Sequence, residues 1–411
     1  MALTSVDDPF TGWLKNLVRL PGRPGDPDIS LWSATLAPCG PRTVDVAVGG
    51  AGWDDEGARL ACVGEAIERL QPWPQPDDLV VESSLAAWPL DEEPLGPSRW
   101  VLFHPSQYGA PGFPFRPFTP DLVLRWAPMR RVADGEPVWV PEEMLHLYGR
   151  PASPHRLAPG ISTGLSCGRG DHPAVLRGLQ EVIERDALMG AWFGRYPLEE
   201  WPAGEVLAGF APGLRERVER AHLVLRFYRV ASPFASHVTV VTTQGPEREG
   251  PCFSAGAAVR ETRAASWLKS TLEALQGRPY VRWLLARSVD RGVASGEPGR
   301  PADFSEHATF FSRCPERLAD TPLARARAPE RADLPREELP ALAARLGPER
   351  PVLVADLTPP EVARERAWRV VRVVVPGLQP MHGNHALPLL GGPLWARGPE
   401  EWAAVPPHPF P

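Results

Sequence analysis

Proline recurs along the whole chain, 51 times in 411 residues, and this limits the fold more than any other feature. Proline removes a backbone donor and breaks helix interiors, which argues against a mostly helical bundle. The prolines are interleaved with 43% hydrophobic residues and 15 tryptophans, enough apolar surface for a large core, so the chain as a whole is not disordered. Helical periodicity at 51–70, 173–195 and 263–286 alternates irregularly with strand candidates at His222–Val230, His237–Thr243, Val352–Ala355 and Val370–Val375. Asp134-Gly135 predicts a hairpin turn between two strand-like pieces, and 315–350 reads as surface helix and connection. Together these predict an α+β fold rather than a regular doubly wound sheet.

The net charge of −6 argues against a nucleic-acid footprint spread over the whole protein. Two of the 44 basic residues are lysines, Lys15 and Lys269, and neither sits in a glycine loop that could cradle phosphate. Any phosphate handling then falls to arginine and a divalent cation. The five cysteines, Cys39, Cys62, Cys167, Cys252 and Cys314, are scattered and form no CxxC pair. They read as reduced thiols of a cytoplasmic protein, with no zinc site. No signal peptide is expected at the N-terminus, and no apolar run approaches a membrane span.

The most informative pattern is a repeat. Gly52 stands thirteen residues before Glu65 of an ExxER motif (Glu65, Glu68, Arg69), and Gly168 thirteen before Glu181 of a second (Glu181, Glu184, Arg185). Ala58 and Ala174 precede the first glutamate by seven, and a looser third copy places Ser266 seven before Glu273, with Gln276 and Arg278 following. On a helical wheel Leu60, Val63, Ile67 and Leu70 form a core-facing stripe, and the carboxylates lie opposite. The small residues predict a floor on which a ligand could approach the helix. Glutamates at i and i+3 put two hard oxygen donors side by side, which suits Mg²⁺. A single ExxER is ordinarily a solvated face with weak ion pairs. Two matched copies and a degenerate third predict at least five carboxylates converging, a cluster tolerable only around cations.

These helices, with the late Val371-Arg372-Val-Val-Val-Pro376-Gly377 strand, resemble the YcaO superfamily of ATP-using peptide backbone modifiers. The likeness runs from about residue 10 to the C-terminus. It includes Trp126, Val138-Trp-Val-Pro141, Ser162-Thr-Gly-Leu-Ser-Cys-Gly168, His307 and Asp356-Leu-Thr358, in the order found in YcaO-type subunits of azoline-forming cyclodehydratases. The ending Pro407-His-Pro409-Phe-Pro411 is similar to the alternating-proline tail of the azoline formers. The resemblance implies a single YcaO-type domain over 1–411. Within it lie an N-terminal strand region at 1–50, an ATP-binding core at 51–300, a connecting region at 301–350, and C-terminal strands with the tail at 351–411.

It further implies Mg²⁺ at Glu65, Glu68, Glu181, Glu184 and Glu273, and nucleotide contacts from Arg185, Ser266, Gln276 and Arg372. Ala61 stands where the family often has serine, and the asparagine often found near Ser162 is missing. The implied reaction is ATP-dependent formation of thiazoline or oxazoline rings from Cys, Ser or Thr in a ribosomally made precursor peptide. The base is left open among the Pro411 carboxylate, His382 and His385, and either histidine could equally be an ordinary loop residue. Implied partners are a leader-peptide-binding protein, a downstream flavin-dependent dehydrogenase and a second copy in a homodimer, with no nucleic acid or membrane. Thioamide- or amidine-forming relatives, and a non-catalytic peptide-binding scaffold, are the alternatives.

Overall fold

The structure, a computed structural model, describes residues 12–23, 26–38, 44–70, 72–75, 78–148, 156–245, 252–290, 300–364 and 368–410. It opens with an antiparallel sheet of β1 (Leu14–Arg19), β2 (Ser30–Leu36) and β3 (Val46–Gly52), followed by α1 (Asp55–Glu68). Asp54 caps α1, its carboxylate accepting from the Gly57 amide at 2.7 Å. Next come β4 (Val81–Ser83), β5 (Leu124–Arg131), β6 (Pro137–Pro141), the short α2 (Glu142–Leu145), β7 (Leu165–Arg169) and α3 (Ala174–Trp192). A sheet ordered β11-β10-β9-β8 holds β8 (Leu198–Trp201), β9 (Val224–Val230), β10 (Val238–Gln244) and β11 (Ser254–Val259), with α4 (Ala203–Ala208) and α5 (Pro212–Glu219) between β8 and β9. The chain continues through α6 (Arg263–Asp290), α7 (Phe304–Arg313), α8 (Leu339–Leu346), β12 (Leu353–Asp356), α9 (Pro360–Arg364) and β13 (Trp368–Val374). β12 and β13 return to the middle of the sheet ordered β4-β5-β12-β13-β7, with β6 paired to β5.

The α+β expectation holds. The hairpin falls where Asp134-Gly135 places it, between β5 and β6, and Gly135 takes a φ of +78° that favours glycine. Proline does not always end a helix here, since α6 carries Pro279 in its interior.

The three copies of the repeat are strand–helix units: β3 with α1, β7 with α3, and β11 with α6. Each strand is the last in its own sheet. Glycine lets helix and strand come together. A Cβ on Gly50 would stand 2.2 Å from the Cys62 amide nitrogen, and one on Gly256 would stand 2.4 Å from the Ser270 carbonyl oxygen. The small residues do not form the floor that the helical wheel predicts. Ala58 and Ser266 are fully buried and Ala174 nearly so, while Ala61 is exposed. In α1 and α6 the small residues bring the helix onto its strand, and none of the three buried positions offers a floor to a ligand. Val63, Ile67 and Leu70 are core as expected, whereas Leu60 is only half-buried.

Candidate active site

The glutamates of the three helices converge. On α1, Glu65 accepts from the Gly49 amide of β3 at 2.9 Å, and Glu68 accepts from the Cys167 amide of β7 at 2.8 Å. On α3, Glu181 accepts from the Gly164 amide at 3.1 Å. Glu68 therefore ties the first unit to the second. Burial pushes the Glu68 carboxyl up to about 8, with the charges of Glu181 and Glu65 adding to the rise against Arg69. Burial likewise pushes Glu184 up to about 7, with Glu273 next in effect and Glu181 adding to it. Electrostatics thus links Glu65, Glu68, Glu181, Glu184 and Glu273 in one repelling chain that spans all three helices.

Arginines flank it. Arg185 lies 3.9 Å from Glu181 and 4.0 Å from Glu184, and its Nε is buried without a hydrogen-bond partner. Arg372 on β13 donates to the Ile161 carbonyl at 2.9 Å, and its buried Nε is also unpartnered. Burial draws Arg372 down to about 10 against the pull of Glu181. Arg372 also lines a largely apolar pocket of about 90 Å³, with Ile161, Thr163, Val182 and Leu389 among its walls. Buried guanidinium nitrogens left without partners mark places for anionic oxygens. An all-carboxylate donor set, in which Glu68 and Glu184 hold protons near neutral pH, fits Mg²⁺, a hard cation that takes oxygen ligands.

A family model of YcaO cyclodehydratases, described as ATP- and Mg²⁺-binding, matches residues 49–379. The chain belongs to the YcaO family. Among solved structures it is similar to a heterocyclase in complex with substrate and cofactor, at 20% identity and a TM-score of 0.71. That match covers 99% of this chain but 56% of the heterocyclase. It is similar to YcaO from Methanopyrus kandleri bound with AMPPCP and Mg²⁺, at 20% identity and a TM-score of 0.55 over 89% of this chain and 86% of that one. It also resembles a chain of the E. coli microcin synthetase McbBCD complex, at 13% identity and a TM-score of 0.66 over 98% and 99%. A curated protein of Methanothermobacter thermautotrophicus, itself uncharacterized, is 30% identical over 133 residues, 32% of this chain and 30% of its own length. No helix among the described residues is long and apolar enough to cross a membrane.

Not every residue implied by the YcaO resemblance faces the carboxylates. Ser266 is fully buried, and its hydroxyl accepts from the Arg260 amide at 2.8 Å, holding the turn from β11 into α6. Gln276 is half-buried one turn after Glu273. His382 and His385 are each 2% exposed, and neither lines the pocket beside Arg372. Burial holds His385 down at about 3 and His382 well below its ordinary value, so both rings stay neutral. Pro411 lies outside the described residues, as does Cys39, but the tail before Pro411 is packed. Trp192 at the end of α3 donates to the Pro406 and Pro407 carbonyls at 3.1 and 3.2 Å, and Phe410 meets its ring edge-on at 5.6 Å.

Two participants escaped the sequence reading. Lys269 sits 3.0 Å from Glu273. Arg260 is half-buried and feels the charges of Glu273 and Glu184, desolvation lowering its pKa against their pull. The repeat's register carried a signal for it, since Arg260 occupies the position thirteen before Glu273 where the other copies have glycine.

The raised carboxyls give a pH signature. Glu68 is protonated below about 8 and Glu184 below about 7, and a cation must displace those protons. Mg²⁺ binding at pH 7 is expected to release about one to two protons, and affinity is expected to weaken as pH falls from 8 to 6. Calorimetry in two buffers of different ionisation heat measures this, and binding without proton release would refute it. The same linkage makes the metal-free fold lose stability as pH rises from 4.5 through about 8, because the unfolded chain ionises Glu68 first.

Proposed function

We propose that this YcaO chain is an ATP-dependent cyclodehydratase that closes thiazoline or oxazoline rings from Cys, Ser or Thr in a precursor peptide. The observation that carries the reading is the convergence of five carboxylates from three strand–helix units beside two arginines, Arg185 and Arg372, each with a buried Nε that lacks a partner. Glu65, Glu68, Glu181, Glu184 and Glu273 would hold Mg²⁺, which when bound supplies neutralising charge for nucleotide phosphates. Arg185 and Arg372 offer N–H groups to the phosphoryl oxygens and lower the cost of charge on the transferred group. Gln276 is a further nucleotide contact, while Ser266 serves the turn.

The substrate's side-chain thiol or hydroxyl attacks the carbonyl of the preceding amide. An amide oxygen is a poor leaving group in water, and its phosphorylation by ATP lets it depart as phosphate. The apolar pocket walled by Ile161, Val182 and Leu389 next to Arg372 suits the peptide's side chains. Burial holds His382 and His385 far below ordinary imidazole basicity and neither lines that pocket, so we place the proton acceptor in the tail at Pro411 rather than on them. The heterocyclase and the microcin synthetase were solved with substrate or pro-MccB17 and, for the latter, as a complex. A protein that holds the peptide's leader is therefore proposed as a partner, and a flavin-dependent dehydrogenase as a later one. The free thiols Cys62, Cys167, Cys252 and Cys314 support a cytoplasmic setting. The test is the mass of a precursor peptide incubated with the chain, ATP and Mg²⁺, with and without the partner.

A further inference from the structure

A second cluster of side chains is built of histidines. His307 on α7 and His382 and His385 in the loop after β13 point ring nitrogens at one another, all within 4.8 Å, and the three side chains are at most 2% exposed. The hydrogen bonds around them fix the tautomers. His307 Nδ1 lies 2.8 Å from the His408 carbonyl, and His385 Nε2 lies 3.1 Å from the Val405 carbonyl. A carbonyl only accepts, so both of those nitrogens carry the proton. That leaves His307 Nε2 and His385 Nδ1 as bare lone pairs, and these are among the buried atoms without any partner. His382 has no partner on either nitrogen. His408 joins them. Its ring stacks on His307 at 3.8 Å, its Nε2 donates to the His382 carbonyl at 2.8 Å, and its Nδ1 is another unpartnered buried nitrogen.

Buried polar atoms are rarely left unpaired, and several in one cluster call for a common explanation. We propose that His307, His382 and His385 form a zinc(II) site that fastens the C-terminal segment 405–410 against α7 and the loop after β13. Three neutral imidazoles are donors for zinc and its first-row neighbours, not for Mg²⁺ or Ca²⁺. The outer N–H of two ligands donating to a backbone carbonyl is the arrangement that orients metal-bound histidine. Tetrahedral ligands at 2.0–2.1 Å from zinc stand about 3.3 Å apart, so the three nitrogens, now within 4.8 Å of one another, would close by up to about 1.5 Å on binding. Water or His408 would complete the sphere. Both of those outer hydrogen bonds end on carbonyls of the tail, so the same contacts that orient the ligands hold the tail. The cysteine pattern predicts no zinc site, and the free cysteines take no part in this one.

The test uses the full chain expressed with zinc in the medium and dialysed against metal-free buffer. Metal content is read by inductively coupled plasma mass spectrometry. The expected result is about one zinc per chain, lost in His382→Ala and His385→Ala and kept in His222→Asn, an exposed turn position. Cobalt(II) added to metal-free wild-type chain should give the intense visible bands of four-coordinate cobalt. Cobalt held by carboxylates would be six-coordinate, weakly absorbing and indifferent to the histidine variants. Wild-type chain that stays folded yet retains no zinc and shows no such bands overturns the proposal. So does zinc retained equally in the histidine variants. If the variants do not fold, the wild-type zinc content and cobalt spectrum decide.

Discussion

Glu184→Ala is expected to lower ATP-dependent turnover of a precursor peptide by at least about a hundredfold, the scale on which a single electrostatic contact to a reacting group acts. Its stability should hold or rise. The Glu184 carboxyl is buried and pushed up to about 7 by desolvation and by Glu273, so the fold bears a cost for keeping it there. Glu65→Ala is expected to lose activity on the same scale. It also forfeits the hydrogen bond from the Gly49 amide, so a modest loss of stability should accompany it. Phosphate release with peptide and thermal unfolding, measured side by side, separate the two effects. Full activity in both variants would contradict the assignment of these carboxylates to Mg²⁺.

Removal of Pro407–Pro411 is the second large effect. Phe410 is 2% exposed and sits edge-on to Trp192, and His408 is fully buried on His307. Loss of the Phe410 ring alone should cost about 3–5 kcal/mol, the range for deleting a buried aromatic side chain. Cyclisation should fall further than nucleotide affinity, because the tail packs on the end of α3, beyond Glu181 and Glu184. Denaturant titration reads the first quantity, and nucleotide binding against ring formation reads the second. Unchanged cyclisation in a truncated chain that still folds would remove the tail from the chemistry.

The carboxylate constellation was legible because a repeat with fixed offsets betrays three equivalent helices, whatever sheets they stand on. The sheets themselves were less legible. β11, Ser-Ala-Gly-Ala-Ala-Val, has Val259 as its one β-branched residue and no aromatic, and its small side chains answer to α6, which packs directly on Gly256. That close approach also explains the wheel reading of Ala58 and Ser266, since a small residue facing a strand and one facing a ligand look alike in sequence. The nucleotide contact at Ser266 is implied by the YcaO resemblance alone, and in the structure its hydroxyl accepts from the Arg260 amide. The histidine cluster joins α7, the loop after β13 and the tail, positions far apart along the chain, so no local spacing announces it. Arg260 was visible only as a break in the repeat.

The most direct test of the account is the mass of a candidate precursor peptide after incubation with the chain, ATP, Mg²⁺ and its leader-binding partner. Cyclodehydration predicts the loss of one water per modified Cys, Ser or Thr, dependent on ATP and absent when those residues are replaced by alanine. A gain corresponding to exchange of oxygen for sulfur, or ATP consumption with the peptide mass unchanged, would contradict ring formation as the function of this chain.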